Sequence, residues 1–492
     1  MKKIMALLLS LIMLISIFSG VFIYTANAAV AVGKGDFDKD GEITVSDALL
    51  TLRIMAKLHS FRNPILVGDI DGDAQLTVAD ALEILRVAVG LMPKFVSETA
   101  VTFDNVRTYG RNYSDSATVC ANWPNSGIEV RFKGESLTLT IECSRRFSAN
   151  DNPFIQVWVD GERTDRIKIS YGTADYTVAK ELSYDEHTVK VLMVTETSNY
   201  PLSFEKLSIG TTNGATYLFD PVYNDQELKF DVYGDSITAG MGNIAGIQSD
   251  GKDHHDSSGT YAFHTISHYG GDGNYIAHSG WGCYQGWGPD KNAIIPRIWN
   301  RACELSTTVY DFSQRQADIV IVALGTNDAW FWTSEMPHQL FIDAYCNFLG
   351  ELRKVYPEAQ FYCLHGMMDE TFDSVVKEAA RQFSSKDGVG AVYVDMPNME
   401  EKPEYIGSAG HPSYAHGEYA SQFLIKAIED NYFKRWGSKL KMAQIKLERK
   451  DTDGVYSDII ELAKATVTDH NATGRNPKLL CQEIEAILAN LN

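Results

Sequence analysis

The spacing of apolar and polar residues changes three times along the chain, and each change predicts a different kind of domain. Within 33–93, two short apolar helical stretches each follow a run of acidic residues. Within 101–225, apolar and polar residues alternate with a period of two, which predicts antiparallel strands joined by turns. Within 226–437, apolar strands alternate with helical segments, which predicts a parallel sheet covered on both faces. Residues 438–492 show helical spacing only.

The N-terminus has the pattern of a secretory signal peptide. A basic start is followed by a long apolar run and then by Ala26-Asn27-Ala28, a small-residue cleavage site. An uncleaved membrane anchor is the alternative, because the run approaches spanning length. We therefore expect 1–28 to be removed and the protein to be secreted. The net charge of −20 argues against nucleic acid and anionic membranes as partners.

Seven cysteines are scattered along the chain, with neither zinc-ligand spacing nor a dense disulfide framework. A single bridge between Cys120 and Cys143 is one alternative. We favour the other, in which the cysteines are small buried apolar side chains.

An acidic loop occurs twice within 33–93. Each copy has Asp at loop positions one, three and five, Thr at position nine and Asp at position twelve. So many carboxylates repel each other unless a cation lies among them, and oxygen ligands at this spacing favour calcium over a pair of solvated acidic turns. The candidate ligands of the two loops are Asp36, Asp38, Asp40, Glu42 and Asp47, then Asp69, Asp71, Asp73, Gln75 and Asp80.

The two loop-helix halves resemble a type I dockerin, which consists of EF-hand-like calcium sites. This resemblance implies structural Ca²⁺ and docking onto a cohesin-type scaffold protein, in a cellulosome-like assembly or on a cell surface. Two departures matter. The second loop has Ala74 where the first has Gly41, and left-handed backbone geometry costs a residue with a Cβ about 1 kcal/mol. The partner-selecting pairs, Val45-Ser46 and Val78-Ala79, differ from the common Ser-Thr pair and leave the partner open.

Polar residues and glycines follow the predicted strands of 226–437. Because the carboxyl ends of parallel strands meet at one edge of a sheet, these residues are expected to form a site there. A serine attacks an acyl carbon when a histidine removes its proton, and amide donors stabilise the resulting oxyanion. The sequence therefore predicts acyl transfer without a catalytic cofactor: Ser236 is the nucleophile, His411 is the base, and Ser236, Gly282 and Asn327 supply the oxyanion donors.

Four short segments, "GDSIT", "SGWG", "LGTND" and "GHPS", resemble the four blocks of the SGNH, or GDSL-like, hydrolases, in the same order. The resemblance implies the same roles for Ser236, Asn327 and His411, and places the second-block glycine at Gly282 with Gly280 as the alternative. With a β-sandwich in front, the chain resembles carbohydrate esterase family 2. That family implies removal of acetyl groups from plant cell-wall polysaccharides of the xylan or mannan type. The alternatives are a lipid or aryl esterase of the same superfamily and an inactive carbohydrate-binding protein.

The orienting partner of His411 is open in the sequence. SGNH hydrolases often place an Asp shortly before the histidine, but 408–410 contains no carboxylate. Either a backbone carbonyl orients the imidazole, giving a Ser-His dyad, or a remote acid such as Asp395 or Glu404 does so.

Three further features have two readings each. Four tryptophans follow strand ends and either stack on sugar or pack on the core: Trp281, Trp287, Trp330 and Trp332. The sandwich either binds sugar or packs on the catalytic domain and shapes its cleft, and we favour the second. The C-terminal helices either cap the catalytic domain or form a partner surface.

The predicted organisation is multidomain, with an EF-hand-like helical module, an antiparallel jelly-roll-like β-sandwich and an α/β/α hydrolase domain with a parallel sheet. Its boundaries are 1–28 for the signal peptide, 33–93 for the dockerin-like repeats, 94–100 for a linker, 101–225 for the sandwich, 226–437 for the hydrolase domain and 438–492 for the helical extension.

Overall fold

The structure, a computed structural model, describes most of the chain after the predicted signal peptide, which lies outside the described residues. The described residues are 33–113, 118–144, 152–196, 201–212, 214–244, 252–288, 291–387, 389–452 and 454–491. Among them, no helix combines the length and apolar character that a membrane crossing requires. They form two compact units. One contains 33–95 with Gly214 and Ala215, and the other contains the remaining residues.

The first unit consists of two similar halves. Its helices are α1 (Val45–Met55), α2 (Pro64–Gly68) and α3 (Val78–Ala88). Helices α1 and α3 each begin after an acidic loop, at the N-caps Thr44 and Thr77. In both halves the Asp three residues later accepts a hydrogen bond from the backbone of the N-cap threonine, which completes a capping box. The sequence repeat is therefore also a structural repeat.

An antiparallel sandwich follows, as the period-two pattern predicts. Along β6 every second residue is buried, and the buried residues of β5 and β6 meet in one apolar core between two sheets. One sheet has the order β10-β6-β12-β4-β3 with β1 beside β12, and the other has the order β13-β5-β11-β7-β8 with β2 beside β5 and β9 beside β7. The strands are β1 (Glu98–Ala100), β2 (Arg107–Tyr109), β3 (Asn112–Tyr113), β4 (Val119–Ala121), β5 (Gly127–Gly134), β6 (Ser136–Cys143), β7 (Phe154–Val159), β8 (Glu162–Arg163), β9 (Ile167–Lys168), β10 (Gly172–Ala179), β11 (Asp185–Met193), β12 (Leu202–Gly210) and β13 (Tyr217–Phe219).

None of the seven cysteines, all of which lie within the described residues, forms a disulfide bond. The bridge between Cys120 and Cys143, one of the two alternatives, is not formed. Cys120 lies on β4 and Cys143 on β6, and β12 separates these two strands in the sheet. Strands two positions apart lie about 9–10 Å from each other, which is beyond the reach of a disulfide.

The hydrolase domain contains a parallel five-stranded sheet covered on both faces, as predicted. The strand order is β15-β14-β16-β17-β18. Alternate residues of each strand point into two apolar clusters, one on each face. The strands are β14 (Lys229–Gly234), β15 (Asp272–Ala277), β16 (Ile319–Ala323), β17 (Gln360–His365) and β18 (Ala391–Asp395). The helices are α4 (Ser236–Ala239), α5 (Tyr261–His268), α6 (Thr326–Trp330), α7 (Gln339–Val355), α8 (Asp373–Asp387) and α9 (Tyr414–Ile428). Short 3₁₀ turns occur at Lys252–His254, Ser257–Gly259, Ile295–Arg297, Met399–Glu401, Pro403–Tyr405 and Ser408–Gly410.

The C-terminal helices pack onto this hydrolase domain. Helix α9 continues through a π-helical turn, Glu429–Phe433, into a helix that crosses the predicted boundary after residue 437. Buried Trp436, Leu440 and Leu480 belong to the same apolar cluster as Val232 of the sheet. Of the two readings of the extension, capping of the catalytic domain is the one that the contacts support. The helices are α10 (Lys434–Lys450), α11 (Ser457–Thr468), α12 (His470–Thr473) and α13 (Pro477–Asn490).

A buried charged cluster joins the sandwich to the parallel sheet. Arg111 of the sandwich is fully buried, and its Nη2 donates to Asp231 Oδ2 at 2.9 Å and to the Tyr233 hydroxyl at 2.8 Å. Asp231 lies on β14 and also accepts from Arg315 Nη1 at 2.6 Å and from the Tyr356 hydroxyl at 2.5 Å. The strand that leads to the predicted nucleophile is therefore fixed by a side chain of the preceding domain.

Candidate active site

Ser236 lies at a sharp strand-to-helix turn. Strand β14 ends at Gly234, Asp235 caps the helix, and Ser236 is the first residue of α4. A Cβ on Gly234 would come within 2.0 Å of Thr238 Oγ1, so only glycine fits at this point. The turn places the serine hydroxyl beyond the carboxyl end of the sheet, as a nucleophile of this kind requires.

His411 reaches Ser236 although the two residues are far apart in sequence. The Nε2 atom of His411 lies 2.8 Å from Ser236 Oγ. Its other ring nitrogen, Nδ1, lies 2.9 Å from the carbonyl oxygen of Ala409. With Nδ1 protonated and donating to this carbonyl, Nε2 presents its lone pair to the serine hydroxyl. The spatial relation predicted between the two residues is therefore present in the structure.

A backbone carbonyl orients the imidazole. Ala409 has a left-handed backbone, with φ of +53°, and this geometry turns its carbonyl toward His411 Nδ1. The acceptor at Nδ1 is thus neither Asp395 nor Glu404, the two remote acids that the sequence left as candidates. Of the two alternatives, the contacts of His411 with described residues fit the Ser-His dyad.

The structure corrects the choice of glycine. The Gly282 amide donates to the Ala293 carbonyl at 3.2 Å, within a short bridge to Ile294, so it is not available to an oxyanion. Gly280 lies three residues beyond the end of β15 and has a left-handed φ of +79°. Within the described part of the chain, its amide has no hydrogen-bond acceptor. The hydrogen bonding of the two amides, which only the folded loop shows, favours Gly280 over Gly282.

Asn327 lies beside the nucleophile turn. Its Nδ2 donates to the Trp281 carbonyl at 2.9 Å and to Asp235 Oδ2 at 3.3 Å. The Ser236 amide is at the N-terminus of α4, where backbone N–H groups have no helical acceptor. The structure therefore brings together Ser236, His411 and Asn327, with Gly280 in place of Gly282.

Two buried carboxyl groups, absent from the predicted site residues, support these turns. Asp235 caps α4 by accepting from the Ile237 amide at 3.0 Å, and burial raises its pKa to about 7. Asp328 accepts from three successive amides of the glycine loop, those of Cys283, Tyr284 and Gln285, at 2.7–2.8 Å. Burial raises the pKa of Asp328 to about 6. Asp235 precedes Ser236 in the motif "GDS", and Asp328 follows Asn327 in the motif "TND". These positions next to predicted site residues were the signal by which the sequence could have indicated both carboxyl groups.

The four candidate tryptophans divide into two groups. Trp287 and Trp330 are 66% and 65% exposed, and Trp287 contacts Phe331 edge-to-face at 5.8 Å. Trp332 instead packs on Phe372 of the core, with ring centroids 5.4 Å apart. Trp281 is half-buried and stacks on His278 at 4.6 Å. Sugar stacking is therefore open to Trp287 and Trp330, whereas Trp281 and Trp332 pack against other side chains of the protein.

The acidic loops of the first unit gather some of the candidate calcium ligands. In the first loop the carboxylates of Asp36, Asp38 and Asp40 lie within 4.8 Å of one another, and the second loop repeats this with Asp69, Asp71 and Asp73. Burial and the nearby charge of Asp47 raise the pKa of Asp38 to about 6, because neighbouring carboxylates repel one another.

Most of the remaining candidate ligands contact other protein groups in the structure. Asp47 accepts from the backbone amides of Phe37 and Thr44, and Asp80 repeats this in the second loop. The Glu42 carboxylate pairs with Lys94 Nζ at 3.1 Å at the surface. Gln75 occupies the equivalent position in the second loop. Three carboxylates per loop therefore fit a hard cation, and the others support the loop.

Two family models match successive parts of the chain. Residues 108–218 match the model described as carbohydrate esterase 2 N-terminal, and residues 232–415 match the GDSL-like lipase/acylhydrolase family. The first match covers most of the sandwich, and the second runs from β14 to the start of α9. Residues 33–95 and the C-terminal helices lie outside both matches.

Similar proteins support the same grouping. A cellulase/esterase of Acetivibrio thermocellus is 26% identical over 65% of this chain, and the match spans 38% of that relative's length. An acetylxylan esterase/glucomannan deacetylase of Cellvibrio japonicus is 24% identical over 63% of this chain and 84% of its own. A solved family two carbohydrate esterase from Clostridium thermocellum, an active-site mutant in complex with a cello-oligosaccharide, has a TM-score of 0.61 at 25% identity. It aligns over 67% of this chain and 99% of its own.

Proposed function

We propose that this protein is a secreted carbohydrate esterase, because residues 108–218 match the carbohydrate esterase 2 N-terminal model and residues 232–415 match the GDSL-like lipase/acylhydrolase model. Its proposed substrates are the O-acetyl esters of plant cell-wall polysaccharides of the xylan or mannan type. The observation that carries the proposal is the 2.8 Å contact between His411 Nε2 and Ser236 Oγ. The names of the relatives from Cellvibrio japonicus support the substrate class.

In the proposed reaction, His411 Nε2 takes the Ser236 proton while Oγ attacks the acetyl carbonyl carbon. The developing oxyanion accepts from the amides of Ser236 and Gly280 and from the Asn327 N–H that, in the structure, makes the longer hydrogen bond to Asp235 Oδ2 at 3.3 Å. His411 then protonates the departing sugar hydroxyl, which leaves an acetyl group on Ser236. Water attacks this ester with His411 again as base, and acetate and free serine result. The Ala409 carbonyl keeps the imidazole in the required tautomer throughout.

Substrate class is tested by comparing two products. Release of acetate from acetylated xylan or acetylated mannan supports the proposal. Release of fatty acid from a lysolipid without release of acetate indicates the lipid esterase alternative. Binding of the polysaccharide with neither product indicates the inactive carbohydrate-binding alternative.

Trp287 is expected to bind the polysaccharide rather than the acetyl group. Its ring is exposed. Trp287 lies seven residues beyond Gly280 in the same loop, and the Trp287 amide donates a hydrogen bond to the Gly280 carbonyl. Aromatic faces stack on sugar rings. We therefore expect Trp287→Ala to raise KM for acetylated xylan roughly fivefold to tenfold, equivalent to about 1–1.4 kcal/mol, and to leave kcat for p-nitrophenyl acetate unchanged.

Steady-state kinetics on both substrates test this prediction, with Trp332→Phe as a packing control. Equal loss on the polymer and on p-nitrophenyl acetate would show instead that Trp287 supports the catalytic loop.

We further propose that the first unit binds structural calcium and docks onto a cohesin-type scaffold protein. The carboxylate triplets of both loops support calcium binding. Bound calcium would neutralise these carboxylates and fix the loops. The partner-selecting residues Val45, Ser46, Val78 and Ala79 are all exposed, as a docking surface requires. Titration with cohesin modules of different types, with and without calcium, tests the docking.

Ala74 is expected to weaken the second calcium site. It has a left-handed φ of +61°, and Gly41 occupies the equivalent position of the first loop with φ of +89°. Relief of about 1 kcal/mol of backbone strain by Ala74→Gly is expected to tighten calcium binding to the second loop roughly fivefold. Calorimetric titration measures both sites, and the matched variant Gly41→Ala is expected to weaken the first. Unchanged affinity in both variants would exclude this explanation.

A further inference from the structure

A second group of charged side chains lies beside the proposed active site, where the sandwich meets the hydrolase domain. The His278 ring is held between two carboxylates. Its Nδ1 is hydrogen-bonded to the Ser279 carbonyl oxygen at 2.8 Å and lies 3.2 Å from Glu196 Oε1, and its Nε2 lies 3.2 Å from Glu304 Oε1. Glu196 is 3% exposed, and the other two side chains are also largely buried. Burying three ionisable groups is costly unless they are paired, so the arrangement calls for a reason.

Glu196 makes direct contacts with the loop that carries the oxyanion donors. One carboxylate oxygen accepts from the Ser279 amide at 2.7 Å, and the other accepts from the Ser279 hydroxyl. Ser279 directly precedes Gly280, whose amide is the proposed donor. A two-oxygen contact of this kind fixes both the position and the orientation of the backbone at Ser279.

His278 extends the same contacts to Asn327. The Trp281 ring stacks on the His278 ring, and the Trp281 amide donates to the His278 carbonyl at 3.2 Å. The Trp281 carbonyl in turn accepts from Asn327 Nδ2 at 2.9 Å. Glu196 therefore connects, through two short routes, to two of the three proposed oxyanion donors.

The segment that presents Glu196 is itself fixed in place. It follows β11 of the sandwich, and the Val194 carbonyl accepts from the Ser257 amide of the hydrolase domain at 2.7 Å. Asn125 Nδ2 donates to the Ser257 carbonyl at 3.1 Å, and Arg163 of the sandwich pairs with Asp256 at 2.7 Å. These contacts give the carboxylate a rigid base from which it can position a loop of the other domain.

We propose that Glu196 is a positioning residue for ester hydrolysis: a carboxylate supplied by the sandwich that holds the Ser279–Trp281 loop where its donors meet the oxyanion. The inference rests on the proposed function and deepens it, since it assigns the sandwich a part in the catalytic site. His278 acts with Glu196 as the cation that keeps this buried carboxylate ionised.

The charge of His278 gives the arrangement a pH limit. Burial lowers the pKa of His278. The hydrogen bond to Glu304 and the charges of Glu304 and Glu196 raise this pKa by more than burial lowers it, and the result is a pKa of about 9. The ionisable groups that face the cluster are Glu196, Glu304 and the Asp235 carboxyl, whose pKa is raised in part by Glu196. Because the folded pKa lies above the ordinary value near 6.5, the stabilisation by His278 is complete below that value and is lost as the pH rises through about 9.

The experiment compares Glu196→Gln with Glu304→Gln in the full-length protein, with p-nitrophenyl acetate as substrate. Both variants remove a partner of His278, but only Glu196 contacts Ser279. We expect Glu196→Gln to lower kcat at pH 7 about tenfold with little change in KM, because a displaced donor weakens transition-state binding. We expect Glu304→Gln to stay within about threefold of the wild type at pH 7. In Glu304→Gln, which keeps the contacts of Glu196 with Ser279 but removes an anion beside His278, the alkaline limit of the kcat–pH profile should move to lower pH, which a purely structural role would not cause.

Two further variants keep the test decisive. Ser279→Ala removes the hydroxyl donor without leaving a buried charge unpaired, and it is expected to lower kcat severalfold even if Glu196→Gln proves unstable. Glu186→Gln, at an exposed pair on the same sandwich, is the control and should match the wild type. Wild-type kcat in folded Glu196→Gln, an unshifted alkaline limit in Glu304→Gln, or wild-type kcat in Ser279→Ala would overturn the inference. A wild-type protein that hydrolyses no acetyl ester would instead refute the proposed function.

Discussion

Replacing Ser236 by alanine is expected to lower kcat for acetate release by on the order of 10⁴- to 10⁶-fold, for acetylated xylan and for p-nitrophenyl acetate alike. The reason is that Ser236 Oγ is the atom to which His411 Nε2 is hydrogen-bonded, at 2.8 Å, and alanine leaves the imidazole without a nucleophile to activate. Polysaccharide binding is expected to persist, because the exposed aromatic residues are unchanged.

The control for this experiment is Ser438→Ala. Its hydroxyl donates to the Lys434 carbonyl within α10, far along the chain from the proposed site, and its removal is expected to leave kcat unchanged. Acetate release by Ser236→Ala within tenfold of the wild type, in a preparation free of other esterases, would show that another group is the nucleophile.

Replacing Arg111 by methionine is expected to lower the free energy of unfolding by roughly 3–5 kcal/mol. The side chain is fully buried and donates to Asp231 at 2.9 Å. Methionine has similar length but no charge, so Asp231 would lose one of its two cationic partners inside the core. Because Asp231 lies on the strand that leads to Ser236, we also expect a lower apparent temperature limit of esterase activity.

The matched control is Arg131→Met on the same sandwich. Arg131 pairs with Glu186 at the surface, and exposed pairs of this kind contribute at most about 1 kcal/mol. Chemical denaturation monitored by tryptophan fluorescence measures both variants. Equal, small losses for Arg111→Met and Arg131→Met would contradict a stabilising role for the buried cluster.

The sequence was most informative where short motifs follow strands. Period-two alternation predicts the sandwich, and the apolar strands of the hydrolase domain predict the parallel sheet. The residues after β14 and β16 and the histidine before α9 then point to one edge of that sheet. Ser236 and His411 could be predicted for this reason, since parallel topology brings strand ends together whatever their separation in sequence.

The sequence was least informative where a contact joins distant segments without a local pattern. The Ala409 carbonyl has no side-chain signal, so the orienting group of His411 stayed open. Glu196 lies at the end of a sandwich strand, in a domain where no catalytic motif occurs. The sequence could not show that the Gly282 amide is already bonded to the Ala293 carbonyl, because this contact depends on how the loop folds back. Gly282 was therefore chosen over Gly280. Likewise, only packing reveals that the helix containing Trp436 joins the hydrolase core.

The covalent intermediate offers the most direct test of the central claim, that Ser236 and His411 perform acyl transfer. The full-length protein is mixed with excess p-nitrophenyl acetate, quenched with acid during turnover, digested and analysed by peptide mass spectrometry. One acetyl group on the peptide that contains Ser236, absent in Ser236→Ala and strongly reduced in His411→Ala, is the predicted result. Turnover of the ester with no acetyl group on Ser236, or with the acetyl group on another residue that is needed for activity, would contradict the account.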